Sequence, residues 1–157
     1  ITTMAYIQEG DIEKFILQDI DSSFSTWISS VIEIVEEYID NYCGTSFASL
    51  GSVTKNYDGS GLQVLEDDDF SAITAVEILD ALGNTIQTLS TGDYNAAPYN
   101  SGTQNRIVLS GANLSVFPDR ARSVKVTGTF GYAEVPNPIK LAGIMRVCAV
   151  VKLKAKI

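Results

Sequence analysis

Hydrophobic residues in this chain change their period twice, and that alternation constrains its fold more than any other feature. Between Asp21 and Cys43 the apolar positions Phe24, Trp27, Ile28, Val31, Val35, Tyr38 and Tyr42 recur every three or four residues, the spacing that builds one face of an α-helix. From Val53 to Tyr132 the pattern shortens to runs rich in Val, Ile, Thr and Tyr, broken by Gly, Asn and Asp, which is the grammar of strands and turns. After Asn137-Pro138, an N-cap followed by a first-turn proline, the helical period returns with Ile139, Leu141, Ala142, Ile144, Met145, Cys148, Val151 and Ala155. The expected fold class is α+β: a small helical bundle formed by N- and C-terminal helices, with a central antiparallel β insertion. The whole chain, 1–157, reads as a single domain, with a helical layer at 10–44 and 137–157 and a β-rich insertion at 52–132.

Within that frame, Asp11 is expected to cap a short helix from Ile12 to about Gln18, and a second helix to run from Asp21 to Cys43 and end on Gly44. The expected strands are Val53–Tyr57, Leu62–Leu65, Ile73–Leu79, Thr85–Leu89, Arg106–Leu109 and Val124–Phe130, with Leu82-Gly83-Asn84 as a hairpin turn. Gly128 and Gly131 suit a bulge and a turn. The stretch Asp93–Asn105, DYNAAPYNSGTQN, has few large apolar residues and reads as an exposed excursion. The last helix, from about Pro138 to Lys156, should pack on the Asp21–Cys43 helix, with the small residues Ala142, Gly143 and Ala149 permitting close approach. Trp27, Tyr38 and Tyr42 read as core and inter-helix seam.

Composition excludes most chemistry. The chain has no histidine, which removes the commonest general base and neutral metal ligand and rules out Ser-His-Asp, Cys-His and His-zinc arrangements. Cys43 and Cys148 lack metal or redox spacing and read as reduced core or near-core thiols. The run Glu66-Asp67-Asp68-Asp69 does not follow a calcium-loop pattern and reads as a solvated turn between strands. Asp58-Gly59-Ser60-Gly61 lacks the Lys-Ser/Thr of a phosphate loop and reads as a β-turn. No Asp or Glu sits in a setting that marks it for glycoside hydrolysis or other acid-base work. Catalytic, cofactor and metal residues are therefore expected to be absent, and no enzyme is expected. No apolar run approaches the ~20 residues of a membrane span, so a soluble protein without a membrane partner is expected. The first residue is Ile, which suggests a lost natural start, and no signal-peptide order follows it.

Charge is unevenly placed within a net −8. Nine acids and one base, Lys14, lie between Glu9 and Asp40, whereas Lys140, Arg146, Lys152, Lys154 and Lys156 follow the last acid, Glu134. Such polarity favours association between copies, and the acidic excess repels nucleic acid. Arg120, Arg122 and Lys125 form a smaller basic cluster, read as a rim or partner contact rather than a nucleic-acid surface.

The stretch Val126–Ile144, VTGTFGYAEVPNPIKLAGI, resembles the C-terminal signature of the head-tail connector (adaptor) proteins of tailed bacteriophages. That signature is a Gly-aromatic strand, a loop ending in Pro and a helix opening I-K-x-A. Two N-terminal helices closing on Gly44-Thr45-x-Phe47, and the loop Asn56-Tyr57-Asp58-Gly59, are similar to further motifs of the family, although Thr45 stands where a basic residue is common. The resemblance implies a structural virion protein forming a ring beneath the portal, connecting head to tail or stopper and leaving a channel through which DNA passes without specific binding. It implies a homo-oligomer, a dodecamer, with a portal protein and a stopper or tail-completion protein as partners. The implied location is the virion neck, after assembly in the host bacterial cytoplasm. On this reading Glu33, Glu36, Glu37 and Asp40 are candidates for the lumen or a subunit interface. Lys152, Lys154, Lys156, Tyr94 and Tyr99 are candidates for portal or subunit contacts. The alternative is a β-rich module of a phage tail or neck that binds glycan or protein.

Overall fold

The computed structural model describes residues 5–154, with side chains to residue 152. It is an α+β fold whose described residues form three α-helices and a six-stranded antiparallel sheet. The described residues divide into two compact units: one built from residues 5–48 and 134–154, the other from residues 49–133.

The first unit holds the helices. α1 spans Glu9–Ile16 and starts earlier than the sequence suggests, because Asp11 caps it from inside: its Oδ2 accepts the Gln8 N–H at 2.9 Å, the return half of a capping box. A 3₁₀ turn, Ser22–Phe24, follows, and the Asp21 carboxylate accepts the Ser23 N–H at 2.8 Å. α2 spans Ser25–Cys43 and ends on Gly44 at φ 69°, whose N–H returns to the Asp40 carbonyl. α3 spans Asn137–Lys154; residues 155–157, where the sequence continues the helix, lie outside the described residues. α2 contacts α3, and α1 contacts both. Ile12 on α1, Ile28, Val31, Ile32 and Val35 on α2, and Ile144, Val147 and Cys148 on α3 are buried. Gly143 permits close packing: a Cβ there would collide with the end of the Ile7 side chain.

The second unit is the sheet, ordered β1-β6-β2-β5-β4, with β3 paired to β2. The strands are β1 Gly51–Tyr57, β2 Val64–Leu79, β3 Thr85–Leu89, β4 Tyr94–Ala97, β5 Gln104–Leu109 and β6 Val124–Phe130. β1 and β2 flank β6 in antiparallel register. Phe70, Val76, Ile107, Phe117, Val124, Val126 and Phe130 are fully enclosed in the core, and Phe70 meets Phe130 edge-on at 6.4 Å between ring centroids.

Two expectations fail here. The acidic run is not a turn: the two strands expected on either side of it are one 16-residue strand, β2, that passes through it. Charged residues are tolerated because the ladder breaks there. Glu66 faces Arg106 and Phe70 faces Gln104, so four steps along β2 meet two along β5 and the surplus is taken up in a bulge. Nor is Asp93–Asn105 wholly an exposed excursion, since Tyr94–Ala97 pairs with β5 and buries Tyr94 and Ala97. Gly128 meets the expectation of a bulge from the other side. The register slip lies in the facing strand, between Ile73 and Ala75, and a Cβ on Gly128 would collide with the Ala72 carbonyl.

Candidate functional site

The acidic face of α2 divides into two pairs. Glu36 and Asp40 are half-buried and turned toward their own chain: Glu36 Oε1 accepts the Ile7 N–H at 2.7 Å, and Asp40 Oδ1 accepts the Phe47 N–H at 3.4 Å. With Tyr6, Glu33, Glu37 and Ser46 they line a cavity of about 370 Å³. Burial raises both carboxyls above their ordinary range, against the backbone N–H groups that favour the charged forms, and burial also raises the Tyr6 phenol. Glu36 and Asp40 therefore tie the chain before α1 and after α2 to the helix between them. Glu33 and Glu37 are the exposed pair.

Of the basic candidates, Lys152 is exposed and Lys154 is the last residue of α3, whereas Lys156 lies outside the described residues. Lys140 is engaged with Asp11 at 2.9 Å. In the sheet unit, Tyr94 is only 8% exposed and packs into the core, so it is not the surface contact expected of it. Tyr99 is 63% exposed. The small basic cluster is also largely occupied: Arg120 donates to the Leu79 carbonyl and Lys125 pairs with Glu77 at 2.8 Å.

The acidic strand segment forms a network rather than a cation loop. Lys55 Nζ meets Asp68 Oδ2 at 2.6 Å, the Tyr57 hydroxyl donates to the same oxygen at 3.2 Å, and the Lys55 ammonium lies 4.4 Å from the centre of the Phe130 ring. Burial pushes the Asp67 carboxyl up to about 6. Among the described residues no group of three or more acidic or cysteine side chains is placed to hold a metal ion. The glycine loop Asp58–Gly61 is bound to the segment before β6, through Gly59 N–H to the Arg120 carbonyl and Arg122 N–H to Asp58 Oδ1. Both cysteines are free; Cys148 is buried, but Cys43 is exposed rather than near the core. No described helix is long and apolar enough to cross a membrane.

Helical spacing misplaces two aromatics. Tyr38 and Tyr42, expected in the core, are 63% and 83% exposed, with their rings stacked at 6.5 Å and 17°. Ile34, one turn earlier, is 66% exposed, and on α3 Leu141 and Met145 are 49% and 54% exposed. Periodicity marks these positions as apolar, but only the tertiary structure shows that they are exposed among the described residues.

The chain matches no protein-family model and no curated protein. Its fold is similar to that of a chain in the neck of an empty GTA particle, a structure computed with C6 symmetry. The likeness has a TM-score of 0.63 at 15% identity and covers 94% of this chain and 78% of that one. At that identity the likeness is one of fold.

Proposed function

We propose that this chain is a structural protein of the neck of a phage-like particle, a head-tail connector whose copies form a ring beneath the portal and leave a channel for DNA. The observation that carries the reading is the fold likeness to a neck chain over 94% of the sequence, together with the connector signature at Val126–Ile144. That neck was computed with C6 symmetry, which admits six copies or a multiple of six, and the dodecamer implied by the connector resemblance is one such multiple. On this reading the helices of both chain ends form a small bundle, the chain is one connector domain, and its role is assembly without catalysis. The net charge of −8 suits a channel wall that DNA passes without sticking. The exposed Tyr99 is proposed to contact portal, stopper or tail-completion partners, and Lys152, Lys154 and Lys156 the portal or a neighbouring copy. Assembly would take place in the host cytoplasm before the virion is complete.

The test is electron microscopy and native mass of the purified chain, alone and mixed with the portal protein. Closed rings seated on the portal are the expected result. A chain that stays monomeric with and without portal overturns the connector reading.

A further inference from the structure

Two helices of the first unit each carry an exposed apolar stripe with charge of one sign beside it. On α2 the stripe is Ile34, Tyr38 and Tyr42, four residues apart and therefore on one face, with the exposed acids Glu33 and Glu37 one position before Ile34 and Tyr38. On α3 the stripe is Leu141 and Met145, continued by exposed Ala149 and flanked by exposed Arg146 and Lys152. Among the described residues no ion pair engages Glu33, Glu37, Arg146 or Lys152, whereas Lys55, Lys125 and Lys140 are all paired. Large apolar side chains grouped on exposed helix faces mark interaction surfaces, and Tyr, Met and Arg are residue types enriched at interface centres. The stacked pair of tyrosines presents a wide, stiff apolar surface.

We infer that the α2 stripe of one copy seats on the α3 stripe of the next copy, with Glu33 and Glu37 facing Arg146 and Lys152. The inference rests on the ring reading above and names the surfaces that would build the ring. Three observations favour a second copy of the chain as the occupant. The two surfaces lie on different elements, as a head-to-tail contact requires; their charges are opposite; and both are apolar at the centre with charge beside it. A contact between unlike surfaces repeats around a closed ring when the rotation closes, whereas a contact pairing α2 with α2 would set acid against acid.

The test uses the full chain. Glu33→Lys with Glu37→Lys, and separately Arg146→Glu with Lys152→Glu, should each lower the assembled fraction at least ten-fold under conditions where the parent assembles, read by sedimentation velocity. All four substitutions in one chain should restore assembly. Far-UV circular dichroism and cooperative thermal melts must show that each variant remains folded, since Glu33 and Glu37 line the same cavity as Glu36 and Asp40 and their reversal also shifts the melt. In a Cys43→Ser background, oxidation of a mixture of Tyr38→Cys and Met145→Cys chains should give a disulfide-linked heterodimer in excess of either homodimer. If the parent forms rings but the reversals leave them intact, or the four-fold variant fails to recover, or the cross-link forms only between like variants, this interface is wrong while the connector reading stands. If the parent forms no ring even with portal, the connector reading itself falls, and this inference with it.

Discussion

Asp67→Asn should stabilise the protein at neutral pH and leave it nearly unchanged in acid. Asp67 lies in the irregular segment of β2. Its Oδ1 accepts the Asp68 N–H at 2.8 Å, while its Oδ2 is buried and finds no hydrogen-bond partner among the described residues. Burial moves the carboxyl from its usual 3.8 to about 6, against the neighbouring Tyr57 hydroxyl, the Asp68 N–H and the Lys55 charge, which favour ionisation. The folded state therefore prefers the neutral acid. Below pH 3.8 the group is protonated in both states and costs nothing. As pH rises through 3.8 the unfolded chain ionises first, so stability falls until pH 6 and is flat above it. A displacement of about two pH units, at about 1.4 kcal/mol each, sets a ceiling near 3 kcal/mol. Partial solvent access lowers the expected gain for the neutral isostere to about 1–2 kcal/mol. Urea denaturation of parent and variant at pH 7.5 and pH 4 measures the difference directly. A gain that is equal at the two pH values, or a loss at pH 7.5, refutes the burial argument.

Gly128→Ala should cost about 3 kcal/mol, because its Cβ meets the Ala72 carbonyl and the Ile73 Cα across the β2–β6 ladder. Gly83→Ala, at φ 87° with open space around it, should cost only the left-handed strain of about 1–2 kcal/mol; equal losses in chemical denaturation would contradict the close approach at Gly128. Lys140→Ala removes the 2.9 Å pair with Asp11 at a partly exposed site and should cost about 0.5 kcal/mol. Burial raises the Asp11 carboxyl, but Lys140 and the Gln8 N–H outweigh it and hold the carboxyl below its usual value. The Lys140 contribution should therefore be present at neutral pH, fade as pH falls through the acid range, and shrink in 1 M salt; a salt-independent loss would mean that the lysine stem, not its charge, carries the effect.

The spacing of apolar residues and the Asn137-Pro138 entry place α2, α3 and the β-rich middle correctly, because those signals are local: a helix face repeats every three to four residues and a strand every two. Where the sequence misleads, a partner distant in the chain decides. Glu66–Asp69 reads as a turn because four carboxylates oppose strand formation locally, yet β6 and β5 hold the residues around them in one strand, and the bulge leaves Glu66 and Asp68 exposed while Asp67 and Asp69 stay half-buried. Tyr94–Ala97 carries almost no strand signal of its own and is a strand because β5 supplies the ladder. Asp11 reads as the residue before a helix, but its side chain reaches back to Gln8 from within α1.

The candidate surfaces divide in the same way. The alphabet of the chain is enough to exclude histidine chemistry and to separate an acidic N-terminal stretch from a basic C-terminal one, because these are properties of composition and order. Which charges remain free is a property of three-dimensional neighbours. Glu36 and Asp40 bind backbone N–H groups of Ile7 and Phe47, Lys140 is held by Asp11, and Glu33, Glu37, Arg146 and Lys152 are left exposed. Helical periodicity shows that Ile34, Tyr38 and Tyr42 belong to an apolar face, but the width of that face and the width its neighbours cover are separate quantities. Only packing sets the second, and it leaves Ile34, Tyr38 and Tyr42 exposed.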